Sequence, residues 1–398
     1  MYEVDEVVSI FRTEKEEFAQ DEEDTLDIPV HVAEMDLYSP SASSLSLPSE
    51  SYIYSLCPSG ASSLAAISSD NSLRRFDRNT LALLPDGVVK DTHPAGVSSL
   101  CTADGDGLLA TCGKDGTVKV WDGRSSGAVA VFETEKGMPL LSVACNASSH
   151  SIVAGTELVK SDAFVLFWDI RSPGKPRRQL VESHNDDVTE VQFHPARPSV
   201  LLSGSTDGLV NIYDTTVSDE DDALLQVIKH SSIHHAGFVD DTAVYALSHD
   251  ELFSVHPITC ADEDEPVDQV KAVEFGDLRP ILKAEYVVQV LVDKVGSYVV
   301  SGRTSDRSLS LTPLLHTPEF HFDQSNSWTL PGAHGAHGEE VVRSVFFDSE
   351  SRTVFTCGED GHVRVWKEKE SVATAEPDTI ASRRPTKPSR KEKGYKPY

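Results

Sequence analysis

Nowhere in the sequence do eighteen apolar residues follow one another, so no segment reads as a membrane-spanning helix. Positive charge is scarce. With 35 lysines and arginines against 64 aspartates and glutamates, net −29, phosphate backbones are poor partners for the body of the chain, and basic proteins are its natural counterparts. The six cysteines, at positions 57, 101, 112, 145, 260 and 357, form no CxxC pair and no spacing suited to zinc, and read as reduced, mostly buried thiols. GxSxG, HExxH and phosphate-binding glycine loops are all missing, so no catalytic residue and no cofactor is assigned, and the chain is expected not to be an enzyme. The histidines of "SSIHHAGF" and "GAHGAHGEE" are joined by no cysteine or carboxylate at ligand spacing, so no metal is expected, and His234 and His235 read as part of a loop entering a strand. The opening "MYEVDEVVSIFRTEKEEF" is acidic, without a basic flank or an apolar centre, and is not read as a secretory signal. A soluble intracellular chain is the expectation, nuclear, cytoplasmic or both.

What the sequence has in abundance is repetition. In "LATCGKDGTVKVWDGR", Asp115 has Thr111 four positions before it, Trp121 six after it and His93 twenty-two before it. "LLSGSTDGLVNIYD" sets Ser203, Asp207, Tyr213 and the upstream His184 on the same grid, and "VFTCGEDGHVRVWK" sets Thr356, Asp360, Trp366 and His337. Weaker copies surround Asp70, Asp250 and Asp306, and another ends at Trp168 and Asp169, which makes seven units. Successive turn aspartates lie 43 to 56 residues apart where neighbouring units can both be read, the period of a four-stranded blade. Alternating runs such as "TVKVW" and "LVNIY" behind Asp-Gly turns are strands, and no long helical period competes.

On these residues the chain resembles the WD-repeat β-propeller family, over about residues 51 to 367. The resemblance implies an all-β fold of seven blades, with residues 28–367 forming the propeller between an acidic tail at 1–27 and a basic tail at 368–398. It also implies that each complete grid is a buried set of hydrogen bonds: histidine to turn aspartate and strand hydroxyl, hydroxyl to tryptophan. The aspartates are then stitching rather than catalysis, although a catalytic cluster of Asp115 and His93 is the other way to read them. Phe76, His256 and Thr312 stand at the tryptophan position of units one, five and six, which departs from the pattern. Phrases such as "DAFVLFWDIRS" and "SHNDDVTEVQFHP" place the chain close to one branch of the family.

Outside the blades, Val4, Val7, Val8, Phe11 and Phe18 follow helical spacing within a composition that resists burial, so this segment is read as a solvated tail or a short partner-binding helix. Residues 31–38, "HVAEMDLY", are expected to close the last blade as its outer strand, which removes a sheet edge. The basic end carries Arg383, Arg384, Lys387, Arg390, Lys391 and Lys393, a nuclear address, a nucleic-acid arm or a solubilising tail.

The expected function is a non-catalytic scaffold for protein partners. Asp219, Glu220, Asp221 and Asp222 in unit four and Asp262, Glu263, Asp264 and Glu265 in unit five follow third strands, so they should meet on one rim as an acidic wall for basic segments such as histone or ribosomal-protein tails. A solvated surface is the plainer reading. "RSPGKPRR" at 171–178 makes the same rim basic in unit three. Arg124 and Arg171, each two residues after a Trp-Asp pair, resemble the WDxR arrangement by which many WD-repeat substrate receptors dock on the cullin-4 ubiquitin ligase adaptor, although arginine there also simply closes a strand end. The more distant alternative is a propeller hydrolase like the diphthine methylesterases.

Overall fold

The computed structural model describes residues 35–104, 107–125, 127–258, 271–330 and 337–368. Seven blades of antiparallel strands follow in chain order: Ile53–Val89, Val97–Glu133, Leu140–His184, Val188–Lys229, Ile233–Asp277, Tyr286–Leu330, and Val342–Glu368 completed by Met35–Ser43. In each blade the first strand is innermost and the fourth outermost. One rim therefore carries the loops between first and second and between third and fourth strands, and the opposite rim carries all the others.

Short β-branched and aromatic runs make these strands because both faces of a blade are covered. In "LATCG" (Leu109–Gly113) all five residues are buried, and in "TVKVW" (Thr117–Trp121) Val118, Val120 and Trp121 are. The core consists of layers between blades rather than one centre. Val118, Val120 and Phe132 of blade two meet Ile152, Leu166 and Trp168 of blade three, with Phe132 and Trp168 edge to face at 6.4 Å. The turn between second and third strands is built alike in six blades, where the residue after the turn aspartate is left-handed: Asn71, Gly116, Gly208, Glu251, Arg307 and Gly361. Glycine holds this conformation without a Cβ penalty, which is why Asp-Gly marks the turns most readable in sequence.

The outer strand of blade seven comes from the start of the chain; among the described residues it covers Met35–Ser43, running five residues past the expected end at 38, while 31–34 lie outside the described residues. Leu37 and Tyr38 pair with Glu368 and Lys367, and Ser41, Ala42 and Ser43 with Val365, Arg364 and Val363. Pro40 falls in the register shift between these two stretches, where its missing N–H costs no ladder bond. An outermost strand has one covered face, so a serine-rich segment without apolar alternation can serve. Its first residues do more: Met35 and Asp36 pair in parallel with Trp328 and Thr329, the outer strand of blade six, so the sheets of blades six and seven are joined. The segment "ELVKSDAF" forms the bend between the second and third strands of blade three, bridged at Val159 and Asp162 and tied to blade four by Leu158 N–H donating to Asp187 at 2.7 Å. Residues 1–34 and 369–398 lie outside the described residues.

Candidate functional site

The three complete grids are three sets of hydrogen bonds. In blade two, His93 Nδ1 lies 2.9 Å from Asp115, His93 Nε2 lies 2.8 Å from Thr111 Oγ1, and Trp121 Nε1 donates to the same Oγ1 at 2.8 Å. One assignment satisfies every atom: Nδ1–H donates to the carboxylate, the threonine hydroxyl donates to Nε2, and the indole donates to the hydroxyl. Blade seven repeats this with His337, Asp360, Thr356 and Trp366 at 2.6, 2.8 and 2.9 Å. Blade four does so with His184, Asp207 and Ser203 at 3.1 and 2.7 Å, and Tyr213 hydroxyl lies 3.3 Å from Ser203. All three histidines are buried. Burial raises the Asp115 carboxyl, but the hydrogen bonds from His93 and Thr117 outweigh it and pull the group down to about 2. Fully bonded and closed to solvent, these histidines and hydroxyls offer a substrate no open valence, and the aspartates serve the fold.

The other blades show how the lattice tolerates loss. In blade three Trp168 pairs in register with Ile152 as Trp121 does with Leu109, which puts Ala154 where Thr111 stands. Trp168 Nε1 accordingly has no partner among the described residues. Blade one replaces the histidine with an arginine on its third strand. Arg74 is buried, its Nη2 lies 2.6 Å from Asp70, and its Nη1 donates to the Leu45 carbonyl at 3.1 Å, just beyond the closing strand. The same offset recurs as Asp115–Lys119 at 3.5 Å and Asp360–Arg364 at 2.7 Å. This cation four residues after the turn aspartate is written in the sequence, and the four-point grid passes over it.

Arg124 and Arg171 sit in the loops after the third strands of blades two and three, on one rim. Each is exposed and folds back on the aspartate of its own Trp-Asp pair, Arg124 to Asp122 at 2.6 Å and Arg171 to Asp169 at 2.7 Å. The Arg124 hydrogen bonds hold Asp122 down to about 2. In the basic segment 171–178, Arg177 reaches Ser151, and Arg178 donates to the Thr215 carbonyl and lies over the Phe167 ring at 5.4 Å.

On the same rim, Asp219 caps the short helix Glu220–Ala223. Glu220 departs from the expected wall because it is spent inside the fold. Its carboxylate accepts from Val181 N–H, Glu182 N–H and Ser183 Oγ at 2.8, 2.9 and 2.6 Å, binding blade four's loop to the outer strand of blade three. Asp221, Asp222 and, from the first loop of blade five, Asp241 remain exposed, and none of their carboxylates makes a hydrogen bond among the described residues. The sequence reading leaves out Asp241 because "VDDT" is too short to read as a charge run. Asp262, Glu263, Asp264 and Glu265 lie outside the described residues, as do Arg383, Arg384, Lys387, Arg390, Lys391 and Lys393.

His234 and His235 belong to the innermost strand of blade five, Ile233–Phe238, rather than to a loop, because that strand starts one residue before them and is bulged there. The His234 ring lies near those of His235 at 4.2 Å and His249 at 5.1 Å, both pairs tilted, and His235 reaches Glu190 of blade four at 3.1 Å. Burial, with His235, His249 and Arg343 alongside, pushes His234 down to about 3. No group of three or more metal-binding side chains occurs among the described residues.

Seven four-stranded blades and these hydrogen-bonded sets define the class, a WD-repeat β-propeller. The model of the WD domain, G-beta repeat, matches residues 88–122, 174–214 and 328–367, which hold the three complete sets. An uncharacterized WD repeat-containing protein of Saccharomyces cerevisiae is 34% identical over 82% of this chain and 81% of its own length, and the chain belongs to the WD-repeat family. A second uncharacterized WD repeat-containing protein, from Schizosaccharomyces pombe, is 32% identical over 73% of the chain and 88% of its own length. The WD repeat-containing protein 89 homolog of Dictyostelium discoideum is 26% identical over 78% of the chain and 81% of its own length, the branch that the phrases of blades three and four resemble. Proteins of this family are generally interaction scaffolds without catalytic activity.

Proposed function

We propose that the protein is a non-catalytic scaffold that holds lysine- and arginine-rich segments of other proteins against the rim over blades four and five. The observation that carries this is the exposed set Asp221, Asp222 and Asp241, whose carboxylates make no hydrogen bond among the described residues, on a chain of net charge −29. Each exposed pair contributes only about 0 to 1 kcal/mol, so binding needs several contacts and weakens with salt. Changing Asp221, Asp222 and Asp241 together to asparagine is expected to weaken binding of a lysine- and arginine-rich peptide about tenfold at low salt, with little effect at high salt, where the attraction is screened. Glu220 stays in place so that melting is unaffected. Wild-type affinity at low salt would end the proposal.

A second reading is docking on the cullin-4 ligase adaptor. It is favoured by Arg124 and Arg171 sharing one rim and the same paired geometry in adjacent blades. Arg124→Ala with Arg171→Ala should abolish co-purification of the adaptor without lowering Tm, and a wild type that never recovers the adaptor removes this reading.

A further inference from the structure

The innermost strands of blades two and three, Val97–Thr102 and Leu140–Asn146, belong to different sheets, and the one thiol of each packs against the layer between them. Cys101 Sγ and Cys145 Sγ are 3.7 Å apart, within contact, and both residues are partly exposed. Cys57, Cys112 and Cys357 are buried. A disulfide needs the sulfurs about 1.7 Å closer, near 2.05 Å.

From this contact we infer that Cys101 and Cys145 are a modification site, a thiol pair that hydrogen peroxide converts to a disulfide joining blade two to blade three. Peroxide oxidises the Cys101 thiol to a sulfenic acid and releases one water. The Cys145 sulfur then attacks the sulfenic sulfur, the S–S bond forms, and the displaced hydroxyl leaves with the Cys145 proton as a second water. Two thiols lose two electrons and two protons, and one peroxide is reduced to two waters. The order follows from the surroundings. The contact with Cys101 together with burial pushes the Cys145 thiol well up, so Cys145 is the slower thiol toward peroxide and the resolving one.

The test treats the full chain with hydrogen peroxide, digests it without reduction and identifies linked peptides by mass spectrometry. A Cys101–Cys145 link is expected, with two fewer free thiols and a Tm higher by about 5 °C that dithiothreitol reverses. Cys145→Ser should abolish the link and leave Cys101 as the sulfenic acid, trapped by dimedone. Cys57→Ser and Cys112→Ser should keep the link. A link from Cys101 to Cys57 or Cys112, or no link while Cys101 is oxidised, would overturn the assignment.

Discussion

Asp70→Ala is expected to lower the free energy of unfolding by about 3 to 5 kcal/mol, the largest loss from any single turn aspartate. The change leaves the Arg74 guanidinium buried between blade one and the closing segment, with the Leu45 carbonyl as its remaining partner. Asp115→Ala, which removes one hydrogen-bond acceptor from the buried His93, should cost about 1 to 3 kcal/mol. The difference is one of charge, since an unpaired guanidinium cannot shed its proton to escape burial. Asp70→Ala combined with Arg74→Met removes the stranded charge and should recover much of the loss. Urea unfolding of the three variants measures this, and equal losses for Asp70→Ala and the double variant would show that the pair carries no such strain.

Acid should unfold the protein through its clustered histidines. His234 titrates near 3 in the folded chain and near 6.5 when unfolded, so between these values the unfolded state holds the extra proton. The stability it contributes is complete above about pH 6.5 and falls as pH drops toward 3, by at most about 1.4 kcal/mol per unit. His235, His249 and Arg343 oppose a charge on His234, while Glu190 is paired with His235. From pH 7 to pH 4.5 the wild type should lose about 2 kcal/mol more than His234→Gln, which stays neutral throughout. Burial also lowers His194, His230, His256 and His337, so the variant keeps part of the slope. Parallel curves for the two proteins would show that the histidine cluster opens to water and carries no penalty.

The legibility of this fold follows from where repetition is chemical. Asp115, Asp207 and Asp360 stand out because the turn, the histidine and the aromatic all demand particular residue types at fixed offsets, and the blade count follows from their spacing. Blade three is harder to place because Ala154 removes the hydroxyl, and blade one because its cation comes from the third strand rather than from the loop upstream. Contacts between units leave no such trace. Nothing in "SDEDD" distinguishes Glu220, which binds three donors on blade three, from Asp221, whose carboxylate binds none among the described residues, because the difference lies in the neighbouring strand. The rim was legible as a location, but the division of its carboxylates between fold and surface was not.

The strand that joins blades six and seven also sets a schedule. Met35 leaves the ribosome long before Trp328, its partner, and the almost 300 residues between them take about 15 to 60 s to synthesise. Over that interval blades one to five can assemble from near neighbours, whereas the earliest strand has no sheet to enter. Ring closure is thus a late event with a large entropic cost, and a nascent chain arrested before residue 363 has every middle blade but not the third strand that most of Met35–Ser43 pairs with.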